Sequence, residues 1–351
     1  GVVFGATAPI GEPSGLNVYA LYLLCGILPW GFYSQVTNLG MNALLSNASL
    51  VRKVAFARET LVISQVIFCF VQWSIEMSLL AVVLIIAGSG PTDRNGNSTM
   101  IKGKNNSLLQ LADSLANYGI ASLRYDKKGV GKSQVRGLKE ENMRFEDGAN
   151  DAMACINWLR EKGFKKIYIA GHSEGSLVGL VAAQQTKLKG FISLAGAGRP
   201  IDQVLREQIN NGGGPDSIKL LANRYLDTLL AGQRIAKPNP LLFSIFRPSV
   251  QPYMISWLRY DPGKLLQTLR CPVLLVQGNK DIQVQVADAL LLEKAKPSAR
   301  LAVLENMNHI FKIVTSTNPA DNIKTYSDPA LAIASSLVQE IIKFIHPNRT
   351  L

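Results

Sequence analysis

Lys166–Gly175 reads KIYIAGHSEG, and the fold turns on it. Ile167, Tyr168, Ile169 and Ala170 form a short apolar run of the kind a strand carries when both its faces are covered. Gly171-His172-Ser173-Glu174-Gly175 (G-x-S-x-G) then reverses the chain into the helical pattern Gly175–Thr186. Glycine on either side of Ser173 permits a turn so tight that a β-carbon there would strike the neighbouring strand or helix. The same turn presents the serine hydroxyl at a helix N-terminus, whose free N–H groups favour developing negative charge.

Working outward, the same grammar repeats. AVVLIIAG (Ala81–Gly88), GIASLRYD (Gly119–Asp126), GFISLAGAG (Gly190–Gly198), PVLLVQGNKD (Pro272–Asp281) and ARLAVLENMNH (Ala299–His309) each read as a buried strand closing in turn residues. Helical patterns over Leu108–Tyr118, Phe145–Lys162, Val284–Lys296 and Pro329–Ile345 separate them. Such alternation predicts an α/β fold on a mostly parallel sheet, with ligands at the carboxyl ends of the strands. Residues 199–261 break the rhythm with helical pieces at Ile201–Ile209 and Ser217–Gly232, which predicts a helical cap inserted between strands.

A serine hydroxyl needs a base, and the chain has three histidines. His172 points away from the elbow as a packed neighbour, and His346 lies in a solvated C-terminal stretch. His309, in the loop after a strand, is left as the general base. Asp281, at the end of VLLVQGNKD, is the acid that would orient it; Asp261 in the cap exit and Asp288 inside a helix are weaker candidates. The order Ser173, Asp281, His309 is the one found in α/β-hydrolases. An oxyanion needs two N–H donors, expected from Glu174 and from Ser89 in the loop after AVVLIIAG. In the following PTDRNGN (Pro91–Asn97), Asp93 and Arg94 can pair to hold the loop, with a plain surface turn as the equal alternative. Phe246, Tyr253, Met254 and Trp257 in the cap are candidates for the substrate pocket, with plain cap core as the alternative.

Composition excludes other classes. The 351 residues are 47% hydrophobic with a formal charge of +12, but the basic residues are scattered and predict no nucleic-acid partner. KKGVGKS (Lys127–Ser133) ends like a phosphate-binding loop, yet Asp126 stands where that pattern needs glycine. Four dispersed cysteines suggest neither a disulfide framework nor a zinc site, and a reducing, cytoplasmic setting. No metal or organic cofactor is called for.

The first 78 residues are different material, holding six charged side chains of zero net charge. Leu61–Gly88 is an apolar run longer than the roughly 20 residues that cross a bilayer, so it can span; Val18–Tyr33, with Gly26, Pro29 and Gly31, is short for a span and fits a broken or re-entrant segment, with buried core helix as the alternative reading of both. No basic segment with a cleavage site marks a secretory signal. Residues 1–80 are therefore expected to form an all-α hydrophobic segment with membrane association, and 81–351 the second domain.

Two resemblances sharpen this. GILPWGFYSQVTNLGMNALLSNASLVRKVAFARE (Gly26–Glu59) with FVQWSIEMSLLAVVLIIAG (Phe70–Gly88) resembles an internal piece of the permease subunit of polysaccharide-exporting ABC transporters, with Ala57 where that family commonly has proline. IIAGSGPTDRNGN, LRYDKKGVGKS, IAGHSEGS, PYMISWLRYDP, PVLLVQGNKDIQV and MNHIFK resemble the α/β-hydrolases grouped with serine aminopeptidases and small-acyl esterases, over about Val82–Pro347. The second resemblance implies the α/β-hydrolase fold and assigns nucleophile, acid and base to the positions of Ser173, Asp281 and His309. It also implies a small-molecule ester as partner; aminopeptidase and thioesterase chemistry stay open on the same triad. Ala81–Gly88 satisfies both families at once, as helix tail and as strand, and one molecule cannot use it as both. A fusion joined there, with the hydrolase taking the strand and lacking its outer edge strands, is the expected outcome. A permease fragment carrying a passive C-terminal domain is the competing reading.

Overall fold

The computed structural model describes residues 19–46 and 59–347, which cluster into two units, one of residues 19–46 and 59–81 with Gly163–Lys166, the other of Val82–Lys162 with residues 167–347. In the first, helices α1 (Tyr19–Ser46) and α2 (Glu59–Leu79) pack on each other, with Phe32 edge-on to Phe70 at 6.5 Å. The expected break in the first segment is absent, since α1 runs unbroken through Gly26, Pro29 and Gly31. Proline removes a backbone hydrogen bond from a helix interior without necessarily ending the helix. The long apolar run is also not one span. α2 stops at Leu79, and Ala81–Ile86 is a strand whose six residues are all buried. Val82, Val83, Ile85 and Ile86 are β-branched and suit a strand covered on both faces. Among the described residues no helix is long and apolar enough to cross a membrane, and the exporter-permease reading gains no support from this pair.

Apart from the first residues of two strands, Ala81 and Lys166, the sheet lies in the second unit. Its six strands, β1 (Ala81–Ile86), β2 (Ala121–Arg124), β3 (Lys166–His172), β4 (Gly190–Leu194), β5 (Val273–Gly278) and β6 (Arg300–Leu304), lie in the order β2-β1-β3-β4-β5-β6. Pairing is parallel between β1 and β2 and from β3 through β6, with Ala170 opposite Ile192 and Leu194 opposite Val276. This is the α/β-hydrolase arrangement, and all six strands fall where the apolar runs placed them.

Helices α3 (Ser107–Ala116), α4 (Phe145–Glu161) and α5 (Glu174–Gln184) follow the first three strands. The cap is formed by α6 (Ile201–Asn211), α7 (Asp216–Leu230), α8 (Phe243–Phe246) and α9 (Gln251–Trp257). The chain then runs through α10 (Pro262–Thr268), α11 (Val286–Ala295), α12 (Pro319–Lys324) and α13 (Ser335–Ile345). Phe344 of α13 meets Tyr168 at 6.1 Å, while Gly179 of α5 lies against Ile169, the next residue of β3. Consecutive strand residues point to opposite faces, so α13 and α5 cover opposite sides of the sheet. The last helix starts at Ser335 rather than Pro329, because the preceding backbone is bonded elsewhere. Ala334 N–H donates to Phe311 O, and Leu331 O accepts from the Lys312 ammonium.

Candidate active site

The elbow comes first. Ser173 sits between β3 and α5 at φ 54°, ψ −121°, a backbone conformation that costs a non-glycine residue about 1–3 kcal/mol. Its neighbours hold it there: Ser173 N–H donates to Leu194 O at 2.9 Å and Ser176 N–H to Ser173 O at 3.0 Å. A β-carbon on Gly171 would fall 2.2 Å from Gly175 O, and one on Gly175 would fall 2.4 Å from Ile86 O. Both glycines are therefore dictated by backbone crossing at van der Waals limits.

Two strands away, the turn after β5 delivers Asp281, whose side chain is fully buried. Its Oδ1 accepts from Gln283 N–H (2.7 Å) and Val284 N–H (3.0 Å), and its Oδ2 from Gln277 Nε2 (2.9 Å). The remaining bond joins Oδ2 to His309 Nδ1 at 2.7 Å. Burial pushes this carboxyl up, but the His309 ring and the two backbone donors outweigh it and hold it below the ordinary carboxylate value. A carboxylate only accepts, so His309 carries its proton on Nδ1 and leaves Nε2 free as a base.

His309 is held from behind as well. Buried Asn308 accepts from Ile310 N–H and Lys312 N–H and donates to Asn322 and Thr325. His172 packs on His309 with ring centroids 4.8 Å apart, and its Nε2 donates to His309 O at 2.9 Å. Burial, reinforced by the neighbouring His309, drops the His172 pKa to about 3, so this ring stays neutral. His172 thus joins Ser173's strand to His309's loop, and Ser173 is the next residue along. No hydrogen bond joins the Ser173 hydroxyl to the His309 ring.

The loop after β1 completes the rim. A β-carbon on Gly88 would lie 3.2 Å from Ser173 Cβ, so the backbone leading into Ser89 passes beside Ser173. Among the described residues, no other hydrogen bond takes the N–H groups of Ser89 and Glu174. Asp93 does not pair with Arg94. It accepts from the loop's own Asn95 and Asn97 N–H groups, while Arg94 pairs with Asp126 at 2.7 Å. Burial raises Asp126, but hydrogen bonds from Arg94 and the Lys132 N–H bring it down to about 2. Asp126 therefore folds the KKGVGKS loop onto itself.

A cavity of about 800 Å³ opens over Ser173, lined also by Ser89, Glu174, Tyr253, Met254 and Trp257. Phe246 is different. It is fully buried in the cap's own cluster with Leu226, Leu229 and Met254, against Tyr225 at 5.4 Å, and does not line the cavity. Tyr253 is more than an aromatic wall, since its hydroxyl donates to Glu174 Oε1 at 2.6 Å. Trp257 stacks on Phe145 at 5.9 Å. The weaker acid candidates have other duties: Asp288 binds Gly198 N–H and the Arg199 guanidinium, and Asp261 caps α10 through Lys264 N–H. Sequence reasoning missed Lys127, whose ammonium donates to Gly88 O at 2.5 Å. The bond goes to a backbone carbonyl, and the Glu174 carboxylate it also faces lies 47 positions away in the sequence, so no local pattern announces either contact.

Comparison with known proteins agrees with this architecture. The family described as "Serine aminopeptidase, S33" matches residues 104–250, which include the elbow and most of the cap but neither Asp281 nor His309. Esterase EstD of Thermotoga maritima is 25% identical over 243 residues, 65% of this chain and 54% of the relative. The chain thus spans about half the length of the curated relative it matches. Among solved structures, Est1E of Butyrivibrio proteoclasticus with ferulic acid bound aligns at 18% identity and TM-score 0.46, over 75% of this chain and 90% of that one. One described under the metagenome-derived lipolytic enzymes LipS and LipT aligns at 17% identity and TM-score 0.48, over 77% and 95%. The family match and the curated relative both agree with an α/β-hydrolase fold over the residues they cover.

Proposed function

We propose that this chain is a serine hydrolase that cleaves carboxylic esters of short or medium acyl length through Ser173, His309 and Asp281. The observation that carries the reading is the 2.7 Å bond between Asp281 and His309 Nδ1, which leaves the other ring nitrogen as base on the rim where Ser173 is presented. His309 Nε2 takes the Ser173 proton as the hydroxyl attacks the ester carbonyl, and the Ser89 and Glu174 N–H groups receive the oxyanion. The imidazolium, stabilised by Asp281, protonates the leaving alcohol. Water activated by His309 then frees the acid and regenerates the serine. The hydrolase domain in this reading is 81–351, with the cap at about 199–261, and Tyr253, Met254 and Trp257 contribute to the substrate wall. Aminopeptidase chemistry on the same triad is the second reading, favoured by the description of the matched family.

The test is p-nitrophenyl acetate, butyrate and octanoate hydrolysis by the chain and by Ser173→Ala, beside aminoacyl p-nitroanilides. Turnover of the esters that vanishes in the variant is expected. Turnover confined to the anilides would select the peptidase reading, and turnover surviving in Ser173→Ala would remove the nucleophile.

A further inference from the structure

Lys127 takes no part in the triad, yet its side chain is partly buried at the rim. It donates to Gly88 O at 2.5 Å and stands 3.7 Å from Glu174 Oε2, whose other oxygen accepts the Tyr253 hydroxyl at 2.6 Å. One cation therefore ties together the peptide that leads into Ser89, the first residue of α5 and, through Glu174, cap helix α9. Burial of the ammonium lowers the Lys127 pKa and the Glu174 carboxylate opposes that shift. Burying a lysine in this way is costly unless its partners are fixed.

The peptide geometry says what the strut does. In a planar trans peptide the C=O and the following N–H point in opposite directions. A donor clamped on Gly88 O thus fixes where Ser89 N–H points, and this peptide passes beside Ser173. Freed from Lys127, it can rotate and take the N–H off the oxyanion while leaving Ser173, His309 and Asp281 in place.

We propose that Lys127 is a positioning residue of the oxyanion site: it holds the Gly88–Ser89 peptide turned so that Ser89 N–H faces the space over Ser173, and Glu174 with Tyr253 link the cap to the same strut. This rests on the proposed roles of Ser173 and Ser89. Because the oxyanion exists only in the transition state, losing the strut lowers kcat and leaves KM nearly unchanged.

The experiment compares Lys127→Met, Lys127→Arg and Tyr253→Phe with the unaltered chain, each checked for thermal unfolding. It reads kcat and KM on p-nitrophenyl butyrate and inhibition by phenylboronic acid, whose serine adduct carries the tetrahedral oxygen. Removing an oxyanion donor costs about 10²–10³ in rate, so misplacing one is expected to lower kcat by about 10–10²-fold in Lys127→Met. Boronate inhibition weakens by a similar factor, and Lys127→Arg, which keeps a charged donor, recovers most of the loss. Tyr253→Phe cuts only the cap link and lowers kcat by about 2–5-fold, close to one hydrogen bond. Should Lys127→Met fail to fold, Lys127→Gln, which also removes the ammonium, carries the same test. Unchanged kcat in folded Lys127→Met, or a raised KM with kcat intact, overturns the proposal; the latter makes Lys127 a substrate contact. Unchanged kcat in Tyr253→Phe overturns the link to the cap. Activity persisting in Ser173→Ala would instead overturn the underlying reading.

Discussion

The strand-end rim and the cap are built from opposite materials. At the rim, Asp281, Asn308 and His309 are buried polar groups, each tied to named donors or acceptors. In the cap, Ala222, Leu226, Leu229, Leu242, Phe246, Met254 and Leu258 form an apolar cluster of their own. A polar network fails when one member is lost, because its partner is left buried and unsatisfied. An apolar cluster tolerates exchange at constant volume. On the proposed function, the difference teaches that chemistry would be fixed on the sheet, while substrate choice would be placed on an element that can be repacked.

The largest effect that sharpens this contrast is at the rim. Asp281→Asn, which removes the carboxylate that holds the His309 tautomer, is expected to lower kcat on the order of 10⁴-fold with the fold intact by circular dichroism. A loss under tenfold would break the contrast from the rim side. Next comes the cap core: Phe246→Ala should cost about 3–5 kcal/mol in denaturant unfolding, while Ser173 still labels with a fluorophosphonate. Loss of labelling in folded protein would show that the cap and the chemistry are not separable. Smaller again, Met254→Ala on the cavity wall should shift the preferred acyl length, with kcat/KM for the favoured ester changing about tenfold. An unchanged length profile would take Met254 off the substrate wall.

The last test is a pH slope. The His172 pKa falls from 6.5 to about 3 on folding, so between those values the unfolded chain binds the proton and the folded one does not. Stability is therefore lost as pH falls from about 6.5 towards 3, and rises with pH in that window. His172→Asn should flatten that part of the unfolding profile. An unchanged slope would place the acid sensitivity elsewhere.

Much of this was legible in the sequence because it is periodic or punctuated. Six apolar runs gave six strands, and the glycines around Ser173 gave the elbow. Leu61–Gly88 is long and apolar enough to read as one span because periodicity does not distinguish buried strand from helix, whereas the strand reading of Ala81–Gly88 is the one the structure shows over Ala81–Ile86. The helix expected from Pro329 starts at Ser335 because residues 331 and 334 are bonded to the His309 loop, a contact no local pattern announces. Choosing among Asp281, Asp261 and Asp288 needed turn position, and the structure shows what the other two hold instead. Arg94 found Asp126 rather than its neighbour Asp93, because Asp93 is more useful to the loop's own amides. Phe246 and Trp257 are both cap aromatics, and only tertiary packing separates core from wall.

The central claim, that Ser173 and His309 act as one unit, is tested most directly by a double-mutant cycle on ester hydrolysis. With Ser173→Ala, His309→Ala and the pair measured under one set of conditions, the account predicts that the double variant is no slower than the worse single one, because either change alone disables the whole unit. Losses that multiply, or a Ser173→Ala variant that still turns over ester, would contradict it.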